Sequence, residues 1–127
     1  MNPTMPRKFL FVLFSDDACR QNHAFMYALD LHAKGYQVRV LLEGPATALI
    51  NALNDSDSHT GELLRRTKNA GLLAGACARA SQGCATADAS RNVHARAEQA
   101  AIQLLGDMDG HAAIEPFLRE GYEMIAL

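Results

Sequence analysis

The chain contains no tryptophan, and phenylalanine and tyrosine together supply 6% of its 127 residues. That scarcity removes the aromatic platform on which single-stranded nucleic acids stack. An excess of positive charge is missing too: 12 basic residues stand against 14 acidic ones, a formal net charge of −2. The basic residues are dispersed, and only Arg65, Arg66 and Lys68 lie close together, on what reads as a solvated helix face. Neither nucleic acid nor an anionic membrane is therefore an expected partner. Long hydrophobic runs are absent as well. The run Phe9-Leu-Phe-Val-Leu-Phe14 gives way to Asp16-Asp17 without a small-residue cleavage site. It is too short for a signal-peptide core and far too short to cross a bilayer. Three unevenly spaced cysteines make no disulfide framework. A cytoplasmic protein with reduced thiols is the expectation.

Several motifs are also missing. No GxGxxG and no GxxxxGK[ST] occurs, and the turn after the first apolar run is Ser15-Asp16-Asp17, acidic where a phosphate would want bare glycines. There is no GxSxG elbow for a serine hydrolase. Asp107-x-Asp109-Gly110 resembles part of a calcium loop but lacks the third acidic position and the closing glutamate. Cys19 and His23 stand four apart on one helix, too few ligands for a stable metal site.

What remains is an ordinary globular composition, 49% apolar and 20% charged, long enough for one domain over residues 1–127 without staples. Lys8–Phe14 reads as a strand buried on both faces. Ser15 or Asp16 can cap a helix from Ala18 to Lys34, which Gly35 closes. Gln37–Leu42 is a second strand, ended by Glu43-Gly44-Pro45. A short helix over Ala46–Leu53, a polar mobile loop over Asn54–His59 and a helix over Gly61–Ala70 come after it. Leu72–Ala76 is the third strand. A short turn of helix to Gly83 and a long helix from about Ala87 to Leu105 come next, the latter with a seam of Val93, Ala97, Ala100, Ala101 and Leu104. A last helix spans Ala112–Arg119 and a last strand Tyr122–Leu127. Alternating strands and helices predict an α/β sandwich with a parallel sheet covered on both faces.

The stretch Ala70-Gly-Leu-Leu-Ala-Gly-Ala-Cys77-Ala-Arg-Ala-Ser-Gln-Gly-Cys84 organises the rest. It runs from an apolar strand through two glycines into a cysteine that opens a helix. Ligands of open α/β sheets bind at the carboxyl ends of strands, and a helix amino terminus favours a thiolate. Cys77 is accordingly the candidate reactive residue, with Arg79 near enough to support the thiolate. Against this stands the alternative of a buried core cysteine packed as a small hydrophobe. Cys84, seven positions on, would sit roughly 10 Å away along an unbroken helix, beyond disulfide reach, and is read as structural. Ser15, Asp16 and Glu43 lie at neighbouring strand ends as rim residues of one cleft, or as simple caps and turns. His111, after a glycine at a loop-to-helix junction, is a candidate polar group of the site or a hydrogen-bonding cap.

Lys8–Asp17, Gly35–Gly44, Ala70–Cys77 and Gly110-His111 through Gly121-Tyr-Glu-Met-Ile125 together resemble the DsrE/DsrF/TusD-like proteins of sulfur metabolism. The resemblance implies a three-layer, flavodoxin-like α/β fold and assembly into oligomers. It implies that Cys77 accepts a persulfide from a donor protein and passes it to an acceptor protein, with no metal and no organic cofactor. Many relatives carry Cys-x-x-Cys here, whereas this chain reads Cys77-Ala78-Arg79-Ala80, so a dithiol cycle is not implied and a single-cysteine carrier is. The rival reading is a non-catalytic module of the same fold that binds a small ligand or a partner protein, or an oligomeric scaffold. A low Cys77 pKa with an exposed sulfur would favour the carrier.

Overall fold

The computed structural model describes residues 7–55, 57–83 and 93–127. Along the chain run β1 (Lys8–Leu13), α1 (Ala18–Ala33), β2 (Gln37–Leu42), a 3₁₀ helix (Gly44–Ala52) and α2 (His59–Asn69). Then come β3 (Leu73–Cys77), α3 (Ala78–Gly83), α4 (Val93–Gln99), β4 (Leu104–Leu105), α5 (Glu115–Arg119) and β5 (Tyr122–Ala126). The strands form one sheet in the order β4-β3-β2-β1-β5, and every pairing is parallel.

That order reflects crossover handedness. Stepping from β1 to β2 to β3 to β4 in one direction, right-handed crossovers leave α1, α2 and α4 on one face. The return from β4 to β5 crosses the whole sheet and leaves α5 on the other. The core is divided accordingly. On the thick side, Phe11, Val40, Leu42 and Ala76 pack against Phe25 of α1, Leu63 and Leu64 of α2, and Val93 and Ala97 of α4. On the thin side, Leu10, Val12, Leu41 and Cys77 pack against Ala80 and Ala112, with Ile114 and Phe117 beyond them. The expected three-layer α/β sandwich is the fold observed. Its strand order is distinct from the 2-1-3-4-5 of flavodoxin itself. Among the described residues no helix is long and apolar enough to cross a membrane.

Local chemistry shifts several boundaries. Asp17, rather than Ser15 or Asp16, caps α1: its carboxylate accepts from Arg20 N–H at 3.0 Å. The polar stretch before α2 is tied down. Ser58 Oγ accepts from Gly61 N–H at 2.9 Å, and Arg65 Nη1 donates to the carbonyls of Leu53 and Asp55 at 2.6 and 3.2 Å. The final helix starts at Glu115, not Ala112, and Ala113 N–H ahead of it donates to the Asp107 carboxylate at 3.1 Å.

The long helix expected over 87–105 is corrected. Residues 84–92, with the expected structural role of Cys84, lie outside the described residues. From Val93 the helix runs only to Gln99, because Ala101 adopts φ 59°. Ala101 N–H then bonds the Glu98 carbonyl at 3.2 Å and Ile102 N–H the Ala97 carbonyl at 2.9 Å. This is the two-bond Schellman ending, here with alanine in glycine's usual place. Ile102 and Ala97 share the thick core, the apolar contact that accompanies the motif. Leu104, expected on a helix seam, instead belongs to the edge strand β4.

Candidate active site around Cys77

The pleat of β3 sends Ala76 into the thick core and Cys77 into the thin one. Cys77 is the last strand residue, and α3 begins at the next position. Gly75 makes this possible. A Cβ there would collide with the Gln103 carbonyl oxygen, and the backbone at Gly75 lies at φ 150°. Glycine thus admits the edge strand close beside the strand that carries the thiol.

Four groups converge on the Cys77 sulfur. Ala80 N–H, in the first turn of α3, donates to Sγ at 3.5 Å, and Ala112 N–H lies near enough to lower the thiol pKa. His111 Nδ1 lies 3.6 Å from Sγ. The Glu43 carboxyl, one residue beyond β2, lies near enough to raise the thiol pKa. Cys77 has no exposed surface and Glu43 is buried, whereas His111 faces solvent above them.

His111 is held there by a hairpin. Met108 and His111 exchange both backbone hydrogen bonds, at 2.8 and 2.9 Å, across Asp109 (φ 51°) and Gly110 (φ 90°). Positive φ at both central residues is the type I′ turn for which Asp-Gly is a preferred pair. The Gly110 carbonyl accepts from Arg79 N–H at 2.9 Å, fastening the hairpin to α3.

Proton placement departs from the expectation of a preformed thiolate. Burial pushes the Cys77 thiol up; the Ala80 and Ala112 N–H groups oppose this, and the nearby Glu43 carboxyl reinforces it. Burial also raises the Glu43 carboxyl, against the opposing pull of the Cys77 thiol and of positive charge on His111. The upward shift wins at both groups because loss of hydration exceeds what weak N–H···S bonds return. The resting cluster is therefore a protonated thiol beside a carboxyl that also retains its proton more strongly than usual.

The remaining expected site residues lie apart from the sulfur. Arg79 is exposed, with its Nε toward the Gly110 edge of the hairpin. Ser15 Oγ accepts from Asp17 N–H at 3.0 Å, and Ser15 N–H donates to the Leu127 carbonyl at 3.1 Å. Asp16 is exposed. Both come after β1, which β2 separates from β3. Cys19 is exposed, with its sulfur 3.7 Å from His23 Nδ1. That nitrogen is engaged by the Cys19 carbonyl at 2.7 Å. Residue spacing gave no hint of the Ala80 and Ala112 amides; the Asp109-Gly110 pair was the available sign of the hairpin.

Fold and site together define a parallel α/β sandwich with a buried Cys–Glu carboxyl–thiol pair under an exposed histidine at the end of its third strand. No family profile and no solved structure matches the chain. It is 38% identical over 45 residues to an uncharacterized protein of Archaeoglobus fulgidus, a match covering 35% of this chain and 74% of that protein. The chain belongs to the same family as that protein.

Proposed function

We propose that this protein carries sulfane sulfur on Cys77, receiving it from a donor protein and delivering it to an acceptor. The observation that carries the reading is the convergence of an imidazole, a carboxyl and two backbone N–H donors on one thiol at a strand-to-helix junction. The His111 imidazole takes the Cys77 proton, and the two N–H groups hold the resulting thiolate. The thiolate attacks the outer sulfur of a donor persulfide, RS–SH. The RS–S bond breaks, a Cys77 Sγ–SH bond forms, and RS⁻ leaves to collect the proton from His111, with no net oxidation. Because the thiol is buried, donor docking has to open a path to Sγ while leaving the His111 imidazole within reach of it. The resemblance to sulfur-relay proteins supports the same reading, with the chain as a cytoplasmic oligomer of itself that needs no cofactor.

The test is intact-mass spectrometry after incubation with a cysteine desulfurase and cysteine. Gain of one sulfur atom, reversed by reductant and absent in Cys77→Ser, is the expected result. His111→Ala should slow loading roughly a hundredfold, the scale of losing a general base. No adduct, or equal adducts on Cys19 and Cys77, would overturn the reading.

One observation favours a second reading: Cys77 is fully buried and its thiol is pushed up. The cluster would then fasten the hairpin to the sheet in a non-catalytic small-ligand or protein-binding module. Lost stability in Cys77→Ser, with no sulfur loading of the wild type, would support it.

A further inference from the structure

The thick layer holds a second polar site, toward the amino edge of the sheet and away from Cys77. Between the end of the 3₁₀ helix, α2 and α4 lies a cavity of about 340 Å³. Its polar lining is Arg65, Lys68 and Arg96 with Asn54, Asn69 and Gln99, over an aliphatic floor. No carboxylate lines it among the described residues. Lys68 also borders an adjoining cavity of about 260 Å³ that contains Arg39. The Arg39 Nε there is buried without a hydrogen-bond partner among the described residues.

Basic residues near helix C-termini often serve only to offset the helix dipole. Here the terminal carbonyls are already satisfied by backbone. Those of Arg66 and Lys68 accept from Ala70 and Gly71 N–H, and those of Ala97 and Glu98 from Ile102 and Ala101 N–H. Arg65 is held in place by its bonds to the Leu53 and Asp55 carbonyls, so one guanidinium is positioned in advance. The cavity has the size of a small-molecule site. Guanidinium and ammonium donors from two helices, with carboxamides between them, match the oxygens of a phosphate group.

We propose that this cavity binds a phosphorylated small molecule. Its phosphate lies among Arg65, Lys68 and Arg96, its organic part lies on the aliphatic floor, and the adjoining Arg39 receives a second anionic group. The site stands independently of the chemistry at Cys77.

The test is titration of the full chain with inorganic pyrophosphate, read by calorimetry and by backbone amide shifts in NMR spectra. Saturable binding with shifts confined to Lys68, Asn69, Gln99 and their neighbours is expected. Lys68→Gln and Arg96→Gln should each weaken binding about tenfold, the scale of one charge-assisted hydrogen bond. Arg66→Gln, on the exposed side of α2, and Cys77→Ser should leave it unchanged. If a cavity variant does not fold, the wild-type shift map still decides. No saturation below about 10 mM, shifts elsewhere, or an equal loss in Arg66→Gln would overturn the proposal.

Discussion

Ala101→Gly decides where the chain stops being helical ahead of β4. In the structure Ala101 lies at φ 59°, and α4 closes as Ala101 N–H bonds the Glu98 carbonyl and Ile102 N–H the Ala97 carbonyl. A left-handed conformation costs an L-residue about 1–2 kcal/mol. Glycine removes that cost but loses roughly 0.5–1 kcal/mol through its greater freedom in the unfolded chain. Ala101→Gly should therefore stabilise the protein by about 0.5–1 kcal/mol, a rise of about 2–4 °C in Tm. Ala101→Val should lose about 1 kcal/mol, since a β-branched side chain fits that region worst. Urea and thermal melts read both. If the helix instead continued to Leu105, as its apolar periodicity indicates, Ala101 would be a right-handed interior position. Glycine would then cost about 1 kcal/mol and valine less. A destabilised glycine variant with a tolerated valine refutes the observed chain path. The site has a stake in the answer, because Gln103, two residues on, accepts from Ala76 N–H at 2.9 Å beside Cys77.

Gly75→Ala should destabilise by about 2–3 kcal/mol in a urea melt, since its Cβ meets the Gln103 carbonyl and its backbone is strained; an unchanged midpoint would show that β4 does not press on β3. The Glu43 carboxyl is raised above its ordinary value of 4.5, so the folded state holds that proton more tightly than the unfolded chain does. Its contribution to stability is then full below pH 4.5 and is lost as pH rises through the higher folded value. Glu43→Gln should accordingly gain on the wild type as pH rises above 4.5 in urea melts, and a difference independent of pH would remove Glu43 from the buried cluster. At neutral pH, iodoacetamide should label exposed Cys19 well ahead of buried Cys77, and Cys77 labelling should climb only on the alkaline side. Equal rates by peptide mapping would contradict the covered thiol.

The elements legible in the sequence are those whose own residues decide them. Phe9–Leu13 and Val38–Leu42 are apolar runs with turn-formers behind them, and they form the two adjacent central strands. Gly35 ends α1 where its left-handed φ of 95° is needed. The misread segment, 100–105, fails for the complementary reason. Alanine holds the C′ position that glycine usually marks, and a two-residue edge strand is too short to show an alternation. Glu43 reads as a turn residue because its burial comes from the hairpin and β3, which no local pattern reports.

Membership of the site is set by strand order rather than by spacing along the chain. A parallel sheet brings the carboxyl ends of its strands to one edge, so a group at the end of β3 meets the residues just beyond the strands on either side of it. Those neighbours are β2 and β4. The residue after β2 is Glu43, and the turn after β4 ends in His111, so both reach the Cys77 thiol. Ser15 and Asp16 come after β1, one strand further out, and the Ser15 backbone is bound toward β5 through Leu127 instead. Composition alone treats Ser15, Asp16 and Glu43 as equivalent polar residues at strand ends. The order β4-β3-β2-β1 separates them, placing the Glu43 carboxyl near the thiol and leaving Ser15 Oγ to accept from Asp17 N–H ahead of α1.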